Sequence, residues 1–279
     1  MSAIKLVLID LSGTLHVGKK AIQGCPAALE KLEKWAKDNR ATFRFLSNTT
    51  KDSKASLVET LQSIGFGNIR AEKVITPLQA AGDAVRAAGA KNPLCLLNES
   101  SSAELGLVLD STKPYDSVVL GLSPDSFHYE KLNQAFRLLK EVKVPFIATH
   151  RGRYFRDESG QLSMGPGPFV AALEEAAGVK ATTVGKPNRS FYEAALRQGE
   201  SELGEPITPA SVVMIGDDLR DDIQGARDLG YQTVLVRTGK FKPEDATGAD
   251  VCLDSFAHFV DSLVSANFPS LAAKKTSSL

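Results

Sequence analysis

The chain has 279 residues, 43% hydrophobic and 24% charged, with 33 Lys+Arg balanced by 33 Asp+Glu. This is the composition of a soluble globular protein with room for one large domain or two modest ones, and it excludes a bulk electrostatic pull toward nucleic acid or anionic membrane. No apolar run approaches the ~20 residues needed to cross a bilayer. The opening MSAIKLVLID turns acidic where a signal peptide would stay apolar, and Cys25, Cys95 and Cys252 lack metal-ligand spacing. The expectation is a cytoplasmic protein with reduced thiols.

Residues 6–9 are continuously apolar and branched, and they end in Asp10, then Ser12, Gly13 and Thr14. Such a run fits a strand buried on both faces of a parallel sheet, with Asp10 at its carboxyl end, where open α/β sheets place ligands. Pro26 suits a helix start, and Leu29, Leu32, Trp35 and Ala36 recur at helical spacing. A second strand is expected over 42–46, ending in Ser47, Asn48 and Thr49. The helix after it carries Leu57, Leu61 and Ile64 and stops at Gly65. The order β-α-β-α predicts a doubly wound parallel sheet of Rossmann type.

Past Thr76 the chain has its own alternation. It comprises an Ala-rich helix over 80–88, strands at 94–97 and 117–122, a helix over 129–140 with Tyr129, Leu132, Phe136 and Leu139 inward, a strand at 146–149, and a helix opened by Gly165-Pro166-Gly167-Pro168. This stretch reads as an inserted α/β domain over 80–179, between core segments 1–79 and 180–279. The core is expected to resume with a strand at 182–184 that ends in Gly185-Lys186-Pro187. Ser190 and Glu193 are spaced as a capping box. A strand at 212–215 ends in Gly216 and the acidic run from Asp217 to Asp222. One more strand, 233–236, and a last helix, 255–266, complete the core. The tail 274–279 ends in SSL, read as a frayed terminus.

Four strand ends therefore carry polar groups: Asp10, Ser47 with Asn48, Lys186, and Asp217 with its acidic neighbours. In a parallel sheet they converge on one edge. Crowded carboxylates repel one another, and a divalent cation removes the conflict; Mg²⁺ prefers oxygen ligands together with water and a substrate phosphate. Lys186 adds a charge for phosphate oxygens, and Ser47 and Asn48 add neutral hydrogen bonds. The set suits a phosphoryl group held by electrostatics and positioning, with an aspartate able to act as nucleophile.

The segments DLSGT at 10–14, SNT at 47–49, GKP at 185–187 and GDDLRDD at 216–222 resemble the four ordered motifs of the haloacid dehalogenase-like hydrolase superfamily. The insert is similar to the cap of its branch containing NagD-type nucleotide phosphatases and pyridoxal phosphate phosphatase. The resemblance implies that Asp10 is nucleophile and metal ligand and that the Ser12 carbonyl ligates Mg²⁺. It further implies that Ser47, Asn48 and Thr49 bind the phosphoryl group, that Lys186 holds nucleophile and phosphate, and that Asp217 ligates Mg²⁺ with Asp222 completing the metal set from behind. Asp218 and Asp221 stay open between a site role and a solvated charge. Caps of this branch often pair, which makes the insert the expected homodimer surface.

Ser12 departs from the pattern. Most phosphatases of the superfamily have Asp there to protonate the leaving group, help worth ~10²–10⁴-fold. A phosphohydrolase with weak activity, or one confined to good leaving groups such as pyrophosphate, aryl phosphates or phosphoramidates, is expected. The competing reading is a catalytically feeble phosphate-binding or regulatory protein. A dehalogenase has no need of the Asp217 cluster, and a response-regulator receiver is too short to carry the insert. His16 is a candidate substitute proton carrier that more simply packs near Asp10, and His128 and His150 read as structural or surface groups. The expected partner is a small phosphorylated molecule or phosphate.

Overall fold

The computed structural model describes residues 3–157 and 161–265. Its strands are β1 (Leu6–Asp10), β2 (His16–Val17), β3 (Lys20–Ala21), β4 (Thr42–Leu46), β5 (Val74–Ile75), β6 (Pro93–Leu96), β7 (Ser117–Leu120), β8 (Phe146–Ala148), β9 (Tyr154–Arg156), β10 (Leu162–Met164), β11 (Thr182–Thr183), β12 (Val212–Gly216), β13 (Gln232–Val236) and β14 (Val251–Leu253). The helices are α1 (Cys25–Asp38), α2 (Lys54–Ser63), α3 (Pro77–Ala87), α4 (Glu99–Ala103), α5 (Tyr129–Arg137), α6 (Gly167–Ala177), α7 (Arg189–Leu203), α8 (Gly225–Arg227) and α9 (Phe256–Val264). Ala266, expected to end the last helix, and the tail 274–279 lie outside the described residues.

Among the described residues, two parallel sheets organise the chain. The larger has the order β14-β13-β12-β1-β4-β5 and the smaller β11-β8-β7-β6. β1 lies inside the larger sheet and is fully buried, which is why its sequence does not alternate. Leu6 and Leu8 join Phe191, Tyr192 and Ala195 of α7 on one face. Val7 and Ile9 meet Leu29, Leu32, Phe256 and Phe259 of α1 and α9 on the other. Each such side chain contributes roughly 1.5–3 kcal/mol on burial. The two-residue period puts Asp10 on the α7 side.

β1 pairs in parallel with β12 on one side and β4 on the other. The carboxyl ends of these neighbours lead directly to Asp217 and Ser47. Adjacent strands lie about 4.8 Å apart, so chain topology alone delivers three of the expected strand ends to one place.

The fourth arrives differently. Thr182–Thr183 pairs with β8 as the edge of the smaller sheet, not with the larger one. A two-residue strand has no pattern to reveal its partner. At the other boundary, Leu78, Ala81 and Val85 of α3 pack with Val119, Ile147 and Val184. The contacts of the smaller sheet thus run from Leu78 to Val184, slightly beyond the 80–179 read from the sequence.

Two other expectations are corrected. Ser190 and Glu193 form no capping box. Asn188 is the N-cap of α7, its side-chain oxygen accepting from Ser190 N at 2.9 Å, while Glu193 pairs with Arg189 at 2.6 Å. An Asn placed two residues earlier satisfies the orphan N–H first. Tyr129 is 82% exposed, whereas Leu139 is buried and Leu132 and Phe136 pack on the smaller sheet's core. Tyr129 is the first residue of α5 and falls outside that core. The hairpins β2–β3 and β9–β10 are too short to show periodicity in the sequence. No helix of the described residues is long and apolar enough to cross a membrane.

Gly82 sits in mid-α3, where Ala is normally the better helix former by about 1 kcal/mol. A Cβ there would lie 1.9 Å from the Leu105 carbonyl oxygen. Gly82→Ala is therefore expected to destabilise the fold by roughly 1–3 kcal/mol, the usual cost of overpacking. Urea unfolding checks this; a stabilised variant would show that α3 and the 105 loop do not approach so closely.

Candidate active site

At the carboxyl edge of the larger sheet, three carboxylates cluster and two of them hold one ammonium. Lys186 is 2% exposed, and its Nζ donates to Asp10 Oδ1 at 2.6 Å, Asp222 Oδ1 at 2.7 Å and the Leu46 carbonyl at 2.7 Å. All three of its protons are used. Burial works against this charge, but Asp10 and Asp222 outweigh burial and hold the lysine above its ordinary pKa. Asp10 Oδ2 accepts from Thr14 Oγ1 at 3.1 Å. Asn48 fixes the main chain of Lys186 on both sides: its Oδ1 accepts from Lys186 N at 2.9 Å, and its Nδ2 donates to Lys186 O at 3.0 Å. That leaves Asn48 one amide proton for a ligand.

Asp217 follows β12. Its Oδ2 accepts from Lys240 N at 2.7 Å. Gly13 and Gly239 close over this carboxylate, and a Cβ on either would stand 2.1 Å from Oδ2. Both have positive φ, 98° and 56°, so glycine is demanded twice over. Oxygens of Asp10, Asp217 and Asp222 lie within 4.8 Å of one another. Asp222 Oδ2 also accepts from Asp218 N at 3.1 Å, so this residue braces the loop as well as Lys186.

The flanking charges are paired locally. Lys240 Nζ meets Asp218 Oδ2 at 3.0 Å, and Arg220 Nε meets Asp221 Oδ1 at 2.9 Å. Lys240 is held above its ordinary pKa against burial, by Asp218 first and then Asp217 and Asp221. What remains is Asp10, Asp217 and Asp222 against Lys186 alone, a cluster two positive charges short. The deficit shows in the acids. Burial, then Asp10 and Asp222, raises Asp217 well above the usual carboxylate range. Burial, then Asp10, lifts Asp222 to about 7. An oxygen-only donor set lacking two charges fits a hard divalent cation.

The other expected residues fall around this centre. Ser12, Ser47, Asn48 and Thr49 line the same cleft as Asp10 and Lys186. The Ser12 side chain is exposed, whereas Ser47 is 1% exposed and its Oγ accepts from Thr49 N at 3.1 Å. His16 instead lines the adjoining groove. Its Nδ1 is 2.8 Å from the Gly18 carbonyl oxygen, and burial depresses its pKa. A neutral ring whose Nδ1–H is already engaged is poorly set to deliver a proton.

Sequence reasoning overlooked Lys240, gave Thr14 no role of its own, and read His150 only as a structural or surface group. Lys240 lies just past the end of β13, so the rule that drew attention to Asp10 and Asp217 applied to it too. His150 follows β8 of the smaller sheet and is 8% exposed in the cleft, not a surface group. Only the packing of one sheet over the other brings it there.

Without a cation, protons partly neutralise the cluster. Folded Asp217 and Asp222 bind protons more tightly than unfolded carboxyls, so this contribution to stability is present at low pH and lost as pH rises toward and past about 7. Mg²⁺ is expected to raise the melting temperature more at pH 8 than at pH 5.5, because it competes with those protons. Lys186→Met, which strands the buried carboxylates, is expected to cost roughly 3–5 kcal/mol at pH 8 and less at pH 5.5. Thermal and denaturant melts at both pH values check both statements; a Mg²⁺ effect independent of pH would contradict them.

The chain matches known families at both ends of this site. Residues 7–107 match the haloacid dehalogenase-like hydrolase model, and residues 183–266 match an HAD-hydrolase-like model. It is 41% identical over 266 residues to haloacid dehalogenase-like hydrolase domain-containing protein 2 of Pongo abelii, covering 94% of this chain and 96% of that protein. It is 35% identical over 273 residues to the human phospholysine phosphohistidine inorganic pyrophosphate phosphatase, covering 95% and 96%. Among solved structures, a 4-nitrophenylphosphatase from Thermotoga maritima superposes with a TM-score of 0.79 at 26% identity, covering 93% of this chain and 97% of that one. With the four strand-end segments gathered around Lys186 and these relatives spanning nearly the whole chain, the protein belongs to the haloacid dehalogenase-like hydrolases.

Proposed function

We propose that the chain is a divalent-cation-dependent phosphohydrolase, and that Asp10 is its nucleophile. The observation that carries this reading is the Lys186 ammonium shared between Asp10 and Asp222 beside Asp217. The likeness to a pyrophosphate phosphatase and a 4-nitrophenylphosphatase supports the phosphoryl assignment.

Asp10, Asp217 and the Ser12 carbonyl would hold the cation, and Asp222 would steady them from behind; Mg²⁺ there would neutralise charge on the transferring group. The residues of the chain do the rest. Asp10 Oδ1 is held by Lys186 and Oδ2 by Thr14, which fixes the carboxylate plane. An Asp10 oxygen attacks phosphorus, the bond to the leaving group breaks, and the leaving group departs with the electron pair. Water then attacks the aspartyl-phosphate and releases phosphate and the free Asp10 carboxylate. Ser47 Oγ, the free amide proton of Asn48 and Thr49 face the cleft as neutral donors for phosphoryl oxygens. Lys186 balances the charge that Asp10 gives up on attack.

Ser12 sets the substrate range. Its exposed hydroxyl lies in the cleft where an acid would serve, and it does not give up a proton at neutral pH. Leaving groups that depart without protonation are therefore favoured: pyrophosphate, aryl phosphates, and phosphoramidates that arrive already protonated. The same residue favours a second reading, a protein that binds phosphate in the presence of a cation and turns it over feebly.

Phosphate release from pyrophosphate, 4-nitrophenyl phosphate and a sugar phosphate separates the two. The expected result is turnover of the first two, abolished by a chelator and by Asp10→Asn. Ser12→Asp is expected to raise sugar-phosphate turnover by about 10²-fold or more, the low end of general acid–base assistance. Equal sugar-phosphate rates in parent and variant would sink the assignment of Ser12. Cation-dependent phosphate binding with no turnover would select the second reading.

A further inference from the structure

The cleft has a floor from the larger sheet and a roof from the smaller one. The floor holds the groups assigned to the phosphoryl unit. One polar side chain of the roof has no task in that scheme. His150 follows β8, is 8% exposed, and lines the cleft with Asp10 and Lys186. Its Nδ1 accepts from Gly152 N at 3.1 Å. An N–H donor on Nδ1 leaves the ring proton on Nε2, which makes no hydrogen bond within the described residues. Arg151 beside it is anchored to Glu174 by two bonds of 2.8 Å, and Glu174 also accepts from Ala181 N at 2.9 Å. This pair, with Glu174 buried and Arg151 partly exposed, fixes the loop that presents the ring. Gly152 completes the fit, since a Cβ there would come 3.0 Å from His150 Nδ1.

We propose that His150 donates its Nε2–H to an acceptor atom of the leaving group and thereby selects substrates that carry such an atom next to the scissile bond. The proposal rests on the phosphohydrolase reading above. The position argues for the leaving group, because Ser47, Asn48 and Lys186 are already assigned to the phosphoryl unit, while His150 lines the same cleft from the end of β8. The electrostatics argue for a neutral donor. Burial, then Lys240, Lys186 and Arg220, depresses the ring to about 3, so it stays uncharged across the working range. A neutral imidazole gives up its last proton far too reluctantly to be an acid, so His150 positions substrate and does not take over the role missing at Ser12. The favoured class has an oxygen one or two atoms beyond the bridging atom, as pyrophosphate has and 4-nitrophenyl phosphate lacks.

The test compares these two substrates in the full-length Mg²⁺-loaded protein. His150→Phe keeps the ring volume and loses the donor; His150→Gln keeps an N–H at nearly the same reach. KM for pyrophosphate is expected to rise about 3–10-fold in the Phe variant, the size of one net hydrogen bond, with kcat within about 2-fold. KM for 4-nitrophenyl phosphate is expected to stay put, the Gln variant to restore pyrophosphate KM, and the acid limb of the pH profile not to move. Gly152→Ala, which crowds the ring, is expected to mimic the Phe variant in part and serves if Phe fails to fold. Equal KM changes on both substrates, or no rescue by Gln, would assign His150 to packing and overturn the proposal. A shifted acid limb would overturn it in favour of proton transfer. Should the parent turn over neither substrate, the phosphohydrolase reading fails separately. Calorimetric Kd values for pyrophosphate in Asp10→Asn, with and without His150→Phe, then read the same hydrogen bond: an unchanged Kd refutes it and a 3–10-fold weakening upholds it.

Discussion

A single desolvated ammonium holds the active edge of this protein together. Removing Lys186 from water costs several kcal/mol, and that cost is met only because three acceptors converge on Nζ. Those acceptors come from three places in the chain: the end of β1, the last carbonyl of β4, and the helical turn over Leu219–Gln224 that follows β12. Asn48 then fastens the Lys186 main chain with a bond on each side of its peptide group. Because each of these elements is held by the others, the positions of Asp10, Asn48 and Asp222 are a single geometric fact.

The arrangement is deliberately out of charge balance. Pairs at the periphery, Lys240 with Asp218 and Arg220 with Asp221, are self-contained. The centre is not, and its acids answer by rising toward neutrality in pKa. A surface cluster would dissipate such strain into solvent. Here the gap between Gly13 and Gly239 encloses Asp217 and keeps water from doing so. The site stores a standing demand for positive charge, of the kind a divalent ion meets better than a proton does.

Much of this was legible in the sequence because a parallel sheet makes order into geometry. Asp10, Ser47 and Asp217 each follow an apolar run, and adjacent parallel strands bring such ends together without further information. Lys186 was recognised for the right neighbours on the wrong grounds: its strand belongs to the other sheet, and two threonines carry no signal of which sheet they join. Asn188 displaced the expected Ser190 cap through one hydrogen bond that spacing rules rank equally. His150 was beyond reach, since its distance from Asp10 depends on how one sheet sits over the other and no local pattern encodes that. Ser12 is the reverse case. A single residue type, read against its motif, carries the proposal about substrate range, and no distance in the site does.

The edge position of β11 has a mechanical consequence. The smaller sheet is joined to the larger one by two chain passages, and on the second of them Lys186 comes three residues after the last residue of the strand. That passage is no slack hinge. Its far end is bolted into the floor by the buried ammonium, and its near end is a rung of the roof. Any rocking of the roof therefore works a short lever whose load is the charge cluster itself. By reciprocity, whatever settles the cluster stiffens the roof, and whatever grips the roof is felt at Asp10 with the same free energy.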